Sequence, residues 1–504
     1  MYQIDFTKPC HVHFIGIGGI SMSGLAEILA KEGFTVTGSD VRESDVTKML
    51  AKQGIRIYFG QVAENLKSEP DTALVVYTAA ISEDNEEFLY AKELGLPLLS
   101  RAELLGQIMD NYKYSIAVSG THGKTTTTAM LAHILLAAEK DPTVSIGGML
   151  DVIGGNIRAG ASPYFVTEAC EYTNSYHSFR PYLSIILNID NDHLDFFHNL
   201  ENIVKSFATF ATKLQDGGIL IVNGDMPYLT EIRAAVAEKN CRLITFGLGE
   251  ENDYRAANVV LDEGGHPTYT LIRKPGVFEG AGADTDSAAD VAGAVAGAAA
   301  GVAASAVAGA AGVGAAGVQV SLSVTGEHNA MNSLSAIAAA EALGIGMDAI
   351  LAGLRTCSSA KRRFEYKGTT KAGVTVVDDY AHHPTEIAAT VSVGKAVAKG
   401  DLWIAFQPHT YSRTKALLPD FAKALSPADH VLLADIYAAR EKDDGTIHSR
   451  DLEQELRKYG TDALYLGDFS AIKKYFSENC KNNDLLITMG AGTIDSIGVD
   501  LVSE

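Results

Sequence analysis

The stretch SIAVSGTHGKTTTTAMLAHILLAA, residues 115–138, decides the fold of the middle of the chain. It reads as an apolar strand, a glycine loop and a helix, in that order. Glycines let backbone N–H groups close around phosphate oxygens, and the positive end of the helix adds to the attraction. Lys124 can reach the terminal phosphates, and Thr125 can place its hydroxyl on Mg²⁺. The alternative, a glycine turn that only connects two elements, does not need this Lys-Thr pair at the helix start.

A second glycine loop, GIGGISMSG at residues 16–24, also follows a strand and begins a helix. It resembles the dinucleotide-binding fingerprint, and Asp40 ends the next strand where an acid that binds ribose would lie. The loop therefore predicts a site for a ribose and a pyrophosphate without naming a redox cofactor. The alternatives are plain helix–strand packing by small residues and a dehydrogenase, and a dehydrogenase leaves the Lys-Thr loop unexplained.

Strands and helices alternate along the chain from three separate starts: at the N-terminus, at Tyr114, and after AKRRFEYKG at residues 360–368. Such alternation predicts parallel sheets of the α/β class. The 504 residues suggest the same number of domains, at about 150 residues each. We predict domains at 1–112, 113–357 and 358–504, with Rossmann-like outer domains and a central domain of the P-loop type.

The net charge of −21, with 41 basic and 62 acidic residues, argues against binding to nucleic acid or to an anionic membrane. A phosphorylated ligand can still be bound locally by backbone N–H groups, a few cations and Mg²⁺. The five cysteines are scattered and form no CxxC pair, which indicates a reducing compartment instead of a zinc site or a disulfide framework. The first residues lack the pattern of a signal peptide, so we expect a cytoplasmic protein.

An uncharged run of Ala, Gly and Val with one Ser, at residues 291–318, interrupts the alternating pattern. Its length would suit a membrane span, but Ala and Gly drive insertion weakly, and the run has no Leu, Ile or Phe and no aromatic flank. We interpret it as part of a low-complexity insertion over about 276–319 and expect no membrane insertion.

Polar side chains follow several strands, at the edge where open α/β sheets bind their ligands. Glu168 ends the strand YFVTE and could hold Mg²⁺ beside a nucleotide. His193 follows another strand, although histidine is an unusual magnesium ligand. Asn329 stands at a helix start, where it could simply cap the helix. Further cations, acids and histidines occur in KRRFE (361–365), DDYAHHPTE (378–386) and FQPHTYSRT (406–414).

The later segments also have simpler interpretations. KRRFE could be a solvated run of charge, as most such runs are. The two adjacent histidines and the acids of DDYAHHPTE could bind a metal, but a substrate loop at a strand end fits the α/β pattern better.

In this order, the motifs resemble those of the Mur ligases, the ATP-dependent amide ligases of peptidoglycan synthesis. The resemblance covers nearly the whole chain apart from the insertion, and the ordered set is specific although no single motif is. The quoted signatures are FIGIGGISMSGLAEIL, GSD, SGTHGKTTTT, TEACE, NIDNDHLD, GEHNAMNSLSA, KRRFE, DDYAHHPTE, FQPHTYSRT and GAGTID. The family's architecture is a UDP-binding domain, a central ATPase domain and a Rossmann-like domain that receives an amino acid.

The resemblance implies a role for each matching position. The UDP-sugar contacts would be Gly16, Gly18, Gly19, Ile20, Ser21, Ser39 and Asp40. The ATP contacts would be Gly120, Thr121, His122, Gly123, Lys124, Thr125, Thr126, Asn329, Arg363 and Asp379, the last two arriving on domain closure. The Mg²⁺ ligands would be Thr125, Glu168 and His193. The amino-acid pocket would hold Tyr380, His382, His409 and Arg413.

The implied activity is the joining of L-alanine to the lactyl carboxylate of UDP-N-acetylmuramate through an acyl phosphate, with ATP and Mg²⁺. It would serve cell-wall biogenesis, and with it cell shape and division. Lys124, Glu168, His193 and Arg363 would be catalytic, and His382 is the candidate base for the incoming amine. We expect a monomer or a dimer.

Two other functions remain open from the sequence: a ligase that attaches a recycled murein tripeptide to the same UDP sugar, and a nucleotide-binding module without turnover. The chain also departs from the family pattern at Thr410, where an Arg is common, and in CEYTNS, where an Asp-rich segment is common. These departures concern substrate contacts.

Overall fold

The computed structural model describes residues 2–78, 80–277 and 317–503. Three separate sheets succeed one another along the chain, each flanked by helices, so the predicted three-domain α/β architecture is confirmed. The predicted boundaries at 112/113 and 357/358 remain predictions. Most of the predicted insertion over about 276–319 lies outside the described residues.

The first sheet has five strands in the order β3-β2-β1-β4-β5, and all its pairs are parallel. Its order reverses at β1, and β1 leads directly into the first glycine loop. The strands are β1 (His11–Ile15), β2 (Thr35–Asp40), β3 (Arg56–Phe59), β4 (Leu74–Tyr77) and β5 (Leu98–Ser100). The helices are α1 (Ile20–Lys31), α2 (Asp45–Lys52), α3 (Ala63–Lys67), α4 (Glu86–Glu93) and α5 (Arg101–Met109).

The central sheet has ten strands in the order β15-β14-β13-β12-β11-β10-β6-β9-β7-β8. The strands are β6 (Tyr114–Ser119), β7 (Thr143–Leu150), β8 (Gly155–Arg158), β9 (Tyr164–Glu168), β10 (Leu183–Ile186), β11 (Gly218–Asn223), β12 (Cys241–Gly247), β13 (Tyr254–Leu261), β14 (Pro267–Arg273) and β15 (Val318–Ser321). The helices are α6 (Lys124–Ala137), α7 (Leu194–Phe197), α8 (Leu200–Ala211), α9 (Leu229–Ala235), α10 (His328–Ala342) and α11 (Met347–Thr356), with 3-10 turns at Asp151–Ile153 and Tyr172–Ser178.

Both edges of the central sheet are antiparallel: β13, β14 and β15 form a meander, and β7 pairs with β8. The pairing of Leu271 with Val318 makes β14 and β15 adjacent antiparallel strands, and the segment outside the described residues connects them. The insertion therefore leaves and re-enters the fold at neighbouring points on one edge.

The third sheet has six strands in the order β16-β17-β21-β18-β19-β20, parallel except for the edge strand β16. The strands are β16 (Glu365–Thr369), β17 (Thr375–Asp379), β18 (Leu402–Phe406), β19 (His430–Ala434), β20 (Asp462–Gly467) and β21 (Leu485–Met489). The helices are α12 (Pro384–Val397), α13 (Tyr411–Ala416), α14 (Leu418–Leu425), α15 (Ser449–Lys458), α16 (Phe469–Asn479) and α17 (Asp495–Ser503).

The inner strands are mostly apolar because helices cover both faces of each parallel sheet. In β18, LWIAF, every residue is buried. The alanine-rich helix α10 is also buried along most of its length, since small side chains let it pack closely against α6 and the sheet. None of the described helices is long and apolar enough to cross a membrane.

Two contacts fix the first domain on the central one. Helix α1 packs on β8, and a Cβ added at Gly24 would lie 2.0 Å from Ile157. Helix α5 packs on the 3-10 turn at Tyr172–Ser178, and a Cβ added at Gly106 would lie 2.3 Å from the carbonyl oxygen of Ser178. At Gly106 there is no room for a side chain because α5 lies directly against a backbone oxygen, whereas a side chain at Gly24 would overlap that of Ile157.

Candidate active site

The central glycine loop lies between β6 and α6, at the carboxyl end of the sheet. Gly123 directly precedes the helix with φ +87, and a Cβ there would lie 2.7 Å from Asn332 Oδ1. The loop is tied to the end of β10: the His122 N–H donates to Asn188 Oδ1 at 2.8 Å, and the Asp190 N–H donates to Thr121 Oγ1 at 2.9 Å. These bonds hold the backbone N–H groups around the start of α6 in one arrangement.

Lys124, the first residue of α6, folds its side chain back over this loop. Its Nζ donates to the carbonyl oxygens of Gly120 at 2.5 Å and Thr121 at 3.1 Å, and to both Glu171 oxygens at 3.2 and 3.0 Å. Burial would lower the pKa of Lys124, but the Glu171 carboxylate outweighs that effect and raises it. The ammonium is therefore charged and lies where phosphate groups would approach the helix.

Sequence reasoning gave Glu171 no role. Its side chain is only 3% exposed and is ion-paired with Lys124. The signal was its position three residues after Glu168 in the loop that follows β9.

The three predicted Mg²⁺ ligands lie around the same loop. Thr125 is in the first turn of α6, and Glu168 ends β9 beside β6, paired with Val118. One Glu168 oxygen accepts the N–H of Gly147 at 2.6 Å. The ring of His193 lies against that of Tyr172, with 4.6 Å between centroids, and its Nε2 is 4.0 Å from Glu171. A hydroxyl and a carboxylate suit a hard cation, whereas the imidazole suits it less.

His122 joins the central and C-terminal domains. Its Nε2 lies 3.2 Å from Asp190 Oδ2, and its Nδ1 lies 3.3 Å from Glu386 Oε1 on α12. Burial alone would lower its pKa, but hydrogen bonds to the two carboxylates raise the pKa of His122 to about 9. Thr385 Oγ1 donates to Asp190 Oδ2 at 2.6 Å across the same interface. The N-terminus of α12 is thereby held against the phosphate loop.

The possibility of a metal among the histidines can be tested at this interface. Ligand atoms of His122, Asp190 and His383 lie within 4.8 Å of one another. Hydrogen bonds already account for them: His383 Nε2 contacts the Asn191 carbonyl oxygen at 3.1 Å, and its Nδ1 accepts the Thr385 N–H at 3.3 Å. The arrangement fits an interface between domains better than a metal centre.

A cavity of about 350 Å³ opens next to the loop, between the central domain and α12. Both domains contribute to its walls, which combine apolar side chains with amides, acids and one arginine. The walls include Phe246, Asn329, Asn332, Arg363, Asp379 and Val393. The cavity meets the phosphate loop at Gly123 and Thr126, and both belong to its lining.

Asn329 is almost buried in the wall of this cavity and does not cap α10. Its side-chain amide donates to the Thr325 carbonyl oxygen at 2.7 Å, and its Oδ1 accepts from Asn332 at 2.8 Å. The helix begins at His328, with no side-chain cap. The capping interpretation is therefore wrong.

The two arginines of KRRFE, Arg362 and Arg363, have different surroundings. Arg362 supports the domain, with bonds to Asp378 at 2.9 Å and to the carbonyl oxygens of Gly490 and Gly492. Arg363 lines the cavity, 4.0 Å from Glu386. The run is thus not a solvated charge cluster.

Asp379 ends β17 and faces the same cavity. It accepts the N–H groups of Phe364 at 2.8 Å and Ala381 at 2.7 Å, so it holds the KRRFE segment and the DDYAHHPTE loop together. Burial raises the pKa of Asp379 to about 6, although Arg363 opposes this shift.

The predicted amino-acid pocket is a cluster at the ends of β17 and β18. Arg413 donates to Asp192 Oδ1 at 2.8 Å and lies 3.1 Å from His409 Nδ1. His382 lies between Tyr380 and His409, with ring centroids 5.4 and 5.7 Å away. The sequence predicted these four residues and missed Asp192, which belongs to the NIDNDHLD motif.

The first glycine loop is closed by Asp40. Its Oδ2 accepts the Gly18 N–H at 2.8 Å, and Gly16 has φ +83. Ile20 and Ser21 are exposed beside Gly19 at the start of α1. Ser39 is different: it is buried, and its hydroxyl donates to Glu87 at 2.5 Å, so only its carbonyl oxygen, which accepts from Gly16, takes part in the loop.

The fold and the site together define a three-domain α/β protein with two glycine loops and several polar side chains at strand ends. Family models match the chain over most of its length: Mur ligase family, catalytic domain, at residues 11–113; Mur ligase middle domain at 118–279; and Mur ligase, glutamate ligase domain, at 362–492. The chain belongs to the Mur ligase family, and the resemblance inferred from its motifs is confirmed.

Within this family, the chain is similar to several individual ligases. The UDP-N-acetylmuramate–L-alanine ligase of Agathobacter rectalis is 50% identical over 100% of both chains. The crystal structure of UDP-N-acetylmuramate–alanine ligase from Thermotoga maritima superposes with a TM-score of 0.73, at 26% identity over 98% of each chain. A murein peptide ligase from Psychrobacter arcticus gives a TM-score of 0.63 at 24% identity over 98% of each chain, which speaks for the fold alone.

Proposed function

We propose that this chain joins L-alanine to the lactyl carboxylate of UDP-N-acetylmuramate at the expense of ATP. The observation that carries the proposal is the full-length likeness, at 50% identity, to a ligase named for that reaction. The geometry supports it, because Lys124 and the phosphate loop adjoin a cavity lined by two domains. The murein tripeptide ligase is less well supported, since its likeness is at 24% identity.

Each domain has one ligand in this proposal. The UDP diphosphate lies on the loop at residues 16–21, next to Asp40. The nucleoside of ATP occupies the cavity beside Asn329, and its phosphates extend over the loop at 120–126 toward Lys124. L-Alanine binds near Tyr380, His382, His409 and Arg413, where the guanidinium can receive its carboxylate.

The first step activates the lactyl carboxylate, which is itself a poor electrophile. A carboxylate oxygen attacks the γ-phosphorus of ATP, the bond to the bridging oxygen breaks, and ADP leaves. Negative charge on the transferring group is stabilised by Lys124 and by Arg363, whose guanidinium enters the site from the C-terminal domain. Glu171, which pairs with Lys124, keeps this ammonium on the loop until phosphate takes its place.

Thr125 and Glu168 are the groups that would hold Mg²⁺, and His193 would lie beside a second ion. Bound there, the ion would offset the charge of the phosphates. The hydroxyl and carboxylate fit this role by their chemistry, and Glu168 lies on the strand next to the phosphate loop.

The second step forms the amide. The neutral amine of L-alanine attacks the acyl carbon, and phosphate leaves with the electrons of the broken C–O bond. His382 takes the surplus proton of the amine, for burial lowers its pKa to about 4 and keeps the ring neutral. The contacts between α12 and the phosphate loop exclude water, which would otherwise hydrolyse the acyl phosphate.

The test is phosphate release from ATP with Mg²⁺, UDP-N-acetylmuramate and one acceptor at a time. We expect release that depends on L-alanine. Release with the murein tripeptide and none with L-alanine would replace the proposal by the recycling ligase. Absence of release with either acceptor, in a protein that binds ATP, would indicate a binding module.

We place the reaction in the cytoplasm, in line with the five free cysteines, and expect a monomer or a dimer. Size-exclusion chromatography with light scattering decides the oligomeric state.

A further inference from the structure

Glu386 lies where three parts of the site meet, although no motif role was assigned to it. It is the third residue of α12, and its side chain is 15% exposed. One oxygen lies 3.3 Å from His122 Nδ1 on the phosphate loop and 4.0 Å from Arg363. The other oxygen accepts the backbone N–H of His382 at 3.2 Å and lies 3.3 Å from the imidazole Nδ1 of that residue.

The carboxylate is ionised in this position. Burial would raise the pKa of Glu386, but attraction to His382 when that ring is protonated, and to His122 and Arg363, outweighs burial and holds the pKa well below its usual range. Both oxygens therefore accept hydrogen bonds and cannot donate one.

This arrangement determines which nitrogen of His382 carries the proton. Nδ1 is hydrogen-bonded to the Tyr380 carbonyl oxygen at 3.0 Å, and Glu386 Oε2 lies 3.3 Å away at ion-pair distance, where its negative charge also favours a hydrogen on Nδ1. In a neutral ring the hydrogen must then be on Nδ1, and the lone pair is on Nε2. Among the described residues, Nε2 has no hydrogen-bond partner, so it is free to accept a proton.

We propose that Glu386 is a positioning residue for amide formation: it fixes the tautomer and orientation of His382 and ties that residue to the phosphate loop through His122. The inference rests on the proposed function. In the step concerned, the amine nitrogen bonds to the acyl carbon, the bond from that carbon to the phosphate oxygen breaks, and phosphate leaves with the electron pair. The surplus N–H proton moves to His382 Nε2.

The discriminating variant is Glu386→Gln, which keeps the shape but replaces one acceptor by an NH₂ donor. Hydroxylamine serves as the comparison acceptor, since it is neutral near pH 7.5 and attacks an acyl phosphate without a base. With ATP, Mg²⁺ and UDP-N-acetylmuramate, we expect kcat for L-alanine to fall about 30-fold, a part of what general-base catalysis supplies. Hydroxamate formation should change by less than about threefold, the scatter expected for a step that needs no base.

The matched control is Glu453→Gln, another largely buried carboxylate of the same domain, ion-paired with Arg457 on α15 and outside the site. It should alter neither rate. A double variant, Glu386→Gln with His382→Gln, should be no slower with L-alanine than His382→Gln alone, because the two residues act as a unit.

Three outcomes would overturn the inference: an equal loss with both acceptors, an unchanged rate with L-alanine, or additive losses in the double variant. Equal losses would assign Glu386 to domain packing alone. The proposed function fails separately, since the unaltered enzyme would then show no turnover with L-alanine.

Discussion

At the scale of single residues, Lys124 places a positive charge directly at the phosphate loop. Its ammonium donates hydrogen bonds to carbonyl oxygens of the phosphate loop and to the Glu171 carboxylate. We predict that Lys124→Ala lowers kcat by about 10²–10³-fold, the usual effect of removing one group that stabilises transition-state charge. UDP-sugar binding should survive, because the first glycine loop belongs to another domain. Phosphate release and calorimetric titration with UDP-N-acetylmuramate measure the two effects.

Lys140→Ala is the control for this substitution, since Lys140 is exposed just beyond the opposite end of the same helix. It should keep full activity. Equal loss of UDP-sugar binding in a folded Lys124→Ala protein would show that the two glycine loops are assigned wrongly.

His122 makes the stability of the folded protein depend on pH. Its folded pKa of about 9 lies above the unfolded value of 6.5, so the protonated ring stabilises the fold below pH 6.5. That contribution is lost as the pH rises through 9. The difference between the two pKa values corresponds to about 3 kcal/mol of stability, because one pKa unit is equivalent to about 1.4 kcal/mol.

We therefore expect His122→Gln to lower Tm clearly at pH 6, and the difference from the unaltered protein to shrink by pH 9.5. The exposed His198, replaced by Asn because its φ is 66, should show no such trend. A Tm difference that stays constant from pH 6 to 9.5 would contradict the assignment of the cation.

The residue level also shows where sequence reasoning ends. Lys124 and Thr125 could be predicted because their chemistry is tied to a local pattern of strand, loop and helix. Glu386 could not, because its partner His122 is 264 residues away in the sequence. Ser39 was selected by its neighbours in GSD, but the alternation of a strand turns its side chain into the domain, toward Glu87.

At the scale of elements, helix α5 is held so close to the turn at Tyr172–Ser178 that Gly106 leaves no room for a side chain. We predict that Gly106→Val destabilises the protein by about 1–3 kcal/mol, the usual cost of overpacking, because the clash is with a backbone oxygen. Gly155→Val is the control, since a Cβ there would be in ordinary contact with the Ile157 carbonyl oxygen at 3.8 Å. Thermal unfolding followed by circular dichroism compares the two, and equal Tm values would refute the close approach.

Most elements could be predicted because many of the parallel strands are short apolar runs followed by a glycine or polar turn and a helix. The exception is the edge of the central sheet. Strands β13 and β14 alternate buried and partly exposed residues over much of their length, as half-covered antiparallel strands do, so their sequence pattern is weaker. The pairing of β15 with β14 could not be foreseen, since the insertion separates them in the sequence.

At the scale of the whole molecule, we expect the insertion to lengthen the chain without enlarging its hydrophobic core. The segment at 278–316 connects β14 to β15, and these strands are already neighbours. We predict that deleting 278–316 and joining Val277 to Gly317 keeps activity within about twofold, because closing a short hairpin loop has a low entropic cost. The assay with L-alanine and the Tm of both proteins decide this. A large loss of activity would show that the insertion takes part in the reaction.

The negative net charge belongs to the chain as a whole, whereas the cations that could bind phosphate are concentrated in one site. The net charge of −21 coexists with a site that concentrates Lys124, Arg363 and Arg413 beside paired carboxylates. Composition argued against a nucleic-acid partner but could not locate these cations, because their pairing with Glu171, Glu386 and Asp192 is tertiary.

The cavity between the central domain and α12 has a consequence for inhibition. Phe246 comes from one domain and Val393 from the other, so its walls are complete only when the two domains are together. A compound that fills the cavity and contacts both walls would hold the two domains together and would trap the enzyme before product release. Its affinity would then depend on closure, and tight binding would be lost in variants that cannot close.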